Sequence, residues 1–303
     1  MTRIAFIGLG HMGGSMAANQ AKTGHQVAAY DLSAAAVDKA AAQGCTSAAS
    51  VAEAVDGAEV VITMLPAGQH VRDVFSQAVI PSAAKSALLI DCSTIDVESA
   101  KFVGAAASAA GLRFADAPVS GGIMAAEAGT LTFMVGCEAG DFSAVEATLR
   151  PMAKAVVHAG DVSAGQAAKI CNNMVLGISM LAVCEGFALA ERLGLAPEKF
   201  FEITSQSSGQ CWSLSTYCPW PGVGPESPAD RDYEGGFLTA LMLKDLKLAQ
   251  EAAAKSGAAT PMGAQAEALY ALLDRLGFGQ KDFSSALQVL RGNLGGRKTS
   301  AAQ

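Results

Sequence analysis

The run Ile4-Ala5-Phe6-Ile7-Gly8-Leu9-Gly10-His11-Met12-Gly13 constrains the fold more than any other stretch of the chain. A short apolar strand leads into glycines spaced Gly-x-Gly-x-x-Gly, and helix-favouring residues follow. In a strand that turns abruptly into a helix, Gly8 permits the turn, Gly10 lets a phosphate approach the backbone, and Gly13 lets the helix pack close to the strand. The free N–H groups of the first helical turn then face the anion. A second strand-like run, 26–30, ends at Asp31, where a carboxylate hydrogen-bonds a ribose 2′-hydroxyl and repels a 2′-phosphate. Gly8, Leu9, Gly10, His11, Met12, Gly13 and Asp31 are therefore expected to bind a dinucleotide, with NAD preferred over NADP. On the glycine motif alone, flavin or another adenosine ligand stays open.

Further strand-like runs occur at 60–64, 87–91, 113–116 and 132–135, alternating with Ala-rich helical stretches such as 13–23 and 34–43. That rhythm predicts an α/β fold, a doubly wound, mostly parallel sheet of Rossmann-like type. Beyond Gly160 the apolar spacing turns helical. Residues 163–192 lack proline and read as one helix, roughly 40 Å long, ending before Gly194 and Pro197. The chain of 303 residues thus divides into a nucleotide-binding domain, 1–162, and an all-α domain, 163–303, joined by that helix. More helices are expected over 197–206, 236–256, 262–276 and 284–290. Residues 211–234 form a long Pro- and aromatic-containing loop, and the tail from Gly292 reads as mobile.

With a formal charge of −7 and no run of Lys or Arg, the chain is not expected to bind nucleic acid. Seven cysteines are scattered without Cys-x-x-Cys pairs, and the four histidines show no metal spacing, so free thiols and no metal are expected. Gly, Asp, Glu or Lys interrupts each apolar segment, which argues against a membrane span, and the opening residues lack a leader pattern. A cytoplasmic protein is the expectation. The apolar helices offer more nonpolar surface than one small α-domain buries, so a homodimer or homotetramer is expected.

Two polar constellations stand out. In Asp116-Ala-Pro-Val-Ser120-Gly121-Gly122, successive small residues form either a plain strand-ending turn or a nest of N–H groups for a carboxylate. In Gly165-Gln-Ala-Ala-Lys169-Ile-Cys-Asn172-Asn173, Lys169 and Asn173 lie four apart on one helix face, with Gly177 a turn further on leaving room beside them. Lys169 is either a solvated helix lysine or, given its apolar flanks, a group that meets a hydroxyl. Leu243-Lys244-Asp245-Leu246 is a third polar pair inside an apolar helix pattern.

These stretches together resemble the β-hydroxyacid dehydrogenase family over nearly the whole chain, from Ile7-Gly-Leu-Gly-His-Met-Gly-Gly to Lys244-Asp-Leu-Lys-Leu-Ala. The resemblance implies that Lys169 is the general acid/base, that Ser120, Gly121 and Gly122 hold the substrate carboxylate, and that Asn173 orients the substrate. It also implies that Leu65, Pro66, His70 and Thr94 line the cofactor and that Lys244 closes over it, with Phe237 and Asp245 beside that position. As a base Lys169 must be neutral, so burial is expected to lower its pKa. Ser207-Ser-Gly-Gln-Cys-Trp, Tyr217-Cys-Pro-Trp-Pro-Gly and Arg231-Asp-Tyr-Glu-Gly-Gly-Phe are similar to the branch acting on 3-hydroxyisobutyrate. The implied reaction is NAD-dependent oxidation of that 3-hydroxy acid to methylmalonate semialdehyde, as in valine breakdown. Reduction of tartronate or succinic semialdehyde is the alternative within the family, and a non-catalytic NAD-binding sensor is the alternative outside catalysis. The chain departs from the family at His11, Met124, Cys137 and Cys218, and Met124 closely follows the carboxylate-binding turn.

Overall fold

The computed structural model describes residues 1–293, so the expectation for the tail falls almost wholly outside the described residues. Contacts group the chain into two units, Met1–Lys169 and Ile170–Gln303. The first is built on a sheet of β1 (Arg3–Ile7), β2 (Gln26–Tyr30), β3 (Thr46–Ser47), β4 (Val60–Thr63), β5 (Leu88–Asp91), β6 (Arg113–Asp116), β7 (Val119–Ser120), β8 (Leu131–Gly136) and β9 (Ala153–Gly160). Their order is β3-β2-β1-β4-β5-β6-β8-β7, with β9 on β8. The first six strands run parallel, β8 is antiparallel to β6 and β7, and β9 is parallel to β8.

Successive strand side chains point to opposite faces, and here both faces are covered. Ile4 and Phe6 of β1 join Ile62 and Ile90 in one core, whereas Ala5 and Ile7 join Val61 and Leu89 in the other. That double burial is why β1, β4 and β5 read as continuous apolar runs instead of alternating ones. The result is the expected doubly wound, Rossmann-like α/β architecture. Strand order reverses between β1 and β4, and in such sheets ligands bind beyond the carboxyl ends of the strands at that point. The sheet has three strands beyond the expected six, β3, β7 and β9. Two of them are only two residues long, and β9, none of whose residues is fully buried, pairs through bulges with β8 alone.

Helix α1 (Gly13–Lys22) follows β1 and buries Met16, Ala17 and Ala18 against the sheet; α2 (Val97–Ala109) follows β5, its N-terminus capped by the Asp96 carboxylate accepting from the Ser99 N–H. The predicted long helix is α3 (Ala164–Arg192). One 18-residue window of it has a mean hydropathy of 1.7, long and apolar enough by those measures to cross a membrane, contrary to the expectation that Gly, Asp, Glu or Lys interrupts each apolar segment. In the second unit its Met180, Leu181, Cys184 and Phe187 instead form the core with Met242 and Leu246 of α4 (Thr239–Ser256) and Tyr270 of α5 (Pro261–Leu273). Gly177 is a helix-crossing residue: a Cβ there would lie 3.0 Å from the Met242 sulfur, so the space beside it is filled by α4 and does not serve a ligand. The loop at 211–234 holds a short helix, Trp212–Ser215, and a 3-10 turn, Pro228–Arg231. All seven cysteines are free thiols.

Candidate active site

The glycine loop is tight where the motif demands it and open where a ligand would lie. At Gly8, φ is +93° and its N–H donates to the Tyr30 carbonyl, while a Cβ would run into the Met64 carbonyl. Gly13 abuts the Gly8 backbone so closely that a Cβ would fall 3.0 Å from the Gly8 carbonyl carbon and nearer still to its oxygen. At Gly10, by contrast, a Cβ meets nothing within 4 Å. Leu9 is buried, His11 is exposed and Met12 is half-buried. Met12, at the N-cap of α1, provides no side-chain cap, so the first-turn N–H groups keep their capacity to bind an anion. Asp31 is fixed over this loop: one carboxylate oxygen accepts from the Leu9 N–H at 2.7 Å and the other from the Ser33 N–H at 2.8 Å.

The loops after the neighbouring strands β4 and β5 carry Leu65, Pro66 and Thr94, and His70 lies exposed on the following helix, Gly68–Val74. These loops are braced by residues that sequence reasoning had not assigned. Buried Asp91, ending β5, accepts on Oδ1 from the Thr63 hydroxyl at 2.6 Å and from the Ser93 hydroxyl at 2.5 Å. The Ser93 hydroxyl in turn accepts from the Leu65 N–H at 2.8 Å. Burial pushes the Asp91 carboxyl above its ordinary range despite these donors, and its Oδ2 has no hydrogen-bond partner among the described residues.

The start of α3 is tied to the same edge. The Asp116 carboxylate, ending β6, accepts from the Ser163 N–H at 2.6 Å and the Gln166 N–H at 2.8 Å. Burial raises its pKa to about 7, against the pull of those two hydrogen bonds, and nearby Asp91 adds to the rise. Gln166 is fully buried, with its amide nitrogen donating to the Ser93 carbonyl at 2.8 Å and its amide oxygen accepting from the Ile95 N–H at 3.0 Å. One turn on, Lys169 is only 7% exposed, which removes the reading of it as a solvated surface lysine. Ser120 ends β7, and Gly121 (φ +133°) and Gly122 (φ +71°) form the turn into the helix Gly122–Ala128 in backbone conformations that disfavour a side chain. Met124 on that helix is exposed.

In the second unit Asn173 is buried and its amide donates to the Asp245 carboxylate at 2.5 Å; the Lys244 ammonium stands 3.8 Å from the other oxygen of Asp245. Asp245 thus organises two of the residues singled out by resemblance. The 211–234 loop is fastened differently, through buried Asp282, which accepts from the Tyr217 hydroxyl and the Phe237 N–H, both at 2.8 Å. Tyr217 stacks on half-exposed Trp212 with ring centroids 4.9 Å apart. Among the described residues, no three His, Cys, Asp or Glu side chains are grouped to hold a metal.

Residues 3–160 match a family model described as the NAD-binding domain of 6-phosphogluconate dehydrogenase, and residues 163–290 match one described as NAD-binding of NADP-dependent 3-hydroxyisobutyrate dehydrogenase. A 3-hydroxyisobutyrate dehydrogenase of Pseudomonas aeruginosa is 48% identical, the alignment covering 96% of this chain and 99% of that protein. An NAD-dependent L-serine dehydrogenase of the same organism is 47% identical over 94% of this chain and 96% of its own length. The solved structure of Mycobacterium tuberculosis 3-hydroxyisobutyrate dehydrogenase with L-serine superposes with a TM-score of 0.93 at 45% identity, covering 96% of this chain and 99% of that one. A glycine cradle after β1, a helical second half and full-length similarity at this level together place the chain in the 3-hydroxyisobutyrate dehydrogenase family of NAD-binding oxidoreductases.

Proposed function

We propose that this chain oxidises 3-hydroxyisobutyrate to methylmalonate semialdehyde with NAD, as in valine breakdown, using Lys169 as general acid/base. The observation that carries this reading is the burial of Lys169 within the unit that also holds the glycine loop and the Ser120–Gly122 turn. Open space at Gly10 and tight packing at Gly8 and Gly13 fit a dinucleotide pyrophosphate. When bound, the nicotinamide supplies the hydride acceptor. Ser120, Gly121 and Gly122 hold the substrate carboxylate, and Lys169 takes the proton of the 3-hydroxyl as the carbon gives up its hydride. In the reverse direction Lys169 returns that proton to the alkoxide oxygen. Asn173 orients the substrate, Leu65, Pro66, His70 and Thr94 line the dinucleotide, and Lys244 closes over it. Asp31, held against the Leu9 N–H beside the loop, supports the preference for NAD.

In this reading residues 1–162 bind the cofactor and 163–303 complete the enzyme and its assembly. The exposed Val175, Leu189 and Leu193 of α3 and its continuation support a homodimer or homotetramer, and the seven free thiols support a cytoplasmic location. A second reading draws on the relative named for L-serine and the structure solved with it. L-serine keeps the 3-hydroxy carboxylate frame and replaces a methyl group by an ammonium. Steady-state kcat/KM with NAD for 3-hydroxyisobutyrate, L-serine and 3-hydroxypropionate, and with NADH for tartronate and succinic semialdehydes, separates these. The proposal requires 3-hydroxyisobutyrate to rank first. A higher value for L-serine or for either semialdehyde reassigns the substrate, and NAD binding without turnover of any of them favours a sensor.

A further inference from the structure

We propose that Gln166 is a positioning residue for the reaction, a two-bond strut that fixes the Lys169-bearing turn of α3 against the loop carrying Thr94. The inference rests on the acid/base reading of Lys169 given above. The side chain of Gln166 straddles that loop, donating to Ser93 C=O and accepting from Ile95 N–H, so that Thr94 lies between its two anchor points. Its backbone N–H is held separately by Asp116, which also fixes Ser163. Ser93 is itself tied through its hydroxyl to Leu65 N–H and to Asp91. One buried amide therefore joins the Leu65 loop, the Thr94 loop and the first turns of α3, and Lys169 follows it by three residues, close to one helical turn. A fully buried Gln at a helix start has no packing advantage over Leu or Met, and both of its amide atoms are used across a sequence separation of about seventy residues. Such an arrangement specifies where one segment sits relative to another more than it adds stability.

The test replaces Gln166 with Met, which matches its length and has no amide donor or acceptor. Gln166→Met is expected to lower kcat per folded site by about tenfold to a hundredfold, the scale of a misplacement near 1 Å. The NAD dissociation constant should change by less than about threefold, because the glycine loop is untouched and the Ser93 hydroxyl still ties the Leu65 loop to Asp91 beside Thr94. The primary deuterium isotope effect on kcat, with substrate labelled at the carbon that loses hydride, should reach its intrinsic value as chemistry becomes rate-limiting. Gln166→Glu is the second variant and guards against a Met variant that fails to fold. When protonated, its carboxyl group reproduces both the donor and the acceptor, so its activity relative to the native enzyme, assayed in the reducing direction, should recover as pH falls. If both variants show only a lower melting temperature, with native kcat per folded site, native isotope effect and no relative recovery, Gln166 is merely structural and the inference is overturned. Lys169→Ala, run in parallel, separates the two claims: near-native turnover in that variant removes the acid/base reading, whereas an inactive Lys169→Ala beside a native-like Gln166→Met removes the strut alone.

Discussion

Gly10 and Gly13 are both glycines of one motif, yet the structure requires opposite consequences when each becomes alanine. A methyl group at Gly13 falls well inside 3.0 Å of the Gly8 carbonyl oxygen, with only backbone on the other side to yield. Relieving that overlap moves the start of α1 or the turn after β1 by about 1 Å, and overpacking of this kind destabilises by about 1–3 kcal/mol. For a unit of this size that lowers Tm by roughly 2–10 °C. The same shift spoils the approach of backbone N–H groups to pyrophosphate, so NAD affinity should fall at least about tenfold, or 1.4 kcal/mol. At Gly10 the methyl group enters empty space and the backbone has no positive φ to protect. Gly10→Ala should therefore keep or slightly raise Tm, since alanine loses less chain entropy on folding. Its NAD affinity should nevertheless drop by about tenfold or more, because the methyl takes the room the pyrophosphate needs. Differential scanning fluorimetry with and without NAD, and titration of NAD by protein fluorescence, read both quantities. A Gly10→Ala variant that binds NAD like the native chain would refute the placement of the pyrophosphate. A Gly13→Ala variant as stable as the native chain would refute the close approach of helix and strand.

Replacing Asp31 with Ser removes the carboxylate expected to repel a 2′-phosphate, so kcat/KM with NADP relative to NAD should rise by about tenfold or more; an unchanged ratio in coupled steady-state assays would remove Asp31 from coenzyme choice. Asp116 makes stability depend on pH. Its pKa is about 7 in the folded chain against an ordinary 3.8, so between those values the folded state holds a proton that the unfolded chain has lost. The associated stabilisation is present in full below pH 3.8 and is lost as pH rises through about 7, a change on the order of 4 kcal/mol. Asp116→Asn cannot ionise, so the native chain's stability advantage over it in urea unfolding should shrink from pH 5 to pH 8. A gap that stays constant or widens contradicts the assignment.

The parts of this fold that are legible in sequence are those whose cause is local. The glycine spacing, the two-sided apolar strands β1, β4 and β5, and the proline-free run that became α3 each announce their structure within a few residues. Strand β9 does not: no residue of Ala153–Gly160 is fully buried, and it pairs with one neighbour through bulges, so it shows neither alternation nor a continuous apolar run. The same limit applies in the candidate site. Lys169 and the Ser120–Gly122 turn stand out because a charge among apolar residues, or consecutive small residues, is visible locally. Gln166 in an Ala-rich helix start looks like any exposed glutamine, and its partners Ser93 and Ile95 lie more than seventy positions away. Gly177 shows the reverse error, since a small residue near polar ones suggests ligand room when the neighbouring helix fills it.

The central claim is that buried Lys169 moves the proton of the substrate hydroxyl. Rapid-mixing measurement of NADH formation by Lys169→Ala, at saturating NAD and 3-hydroxyisobutyrate, addresses it directly when paired with the NAD dissociation constant of the same variant. The account predicts a rate reduced by about 10²–10⁴-fold, with NAD affinity within about threefold of native. Single-turnover NADH formation near the native rate would contradict it.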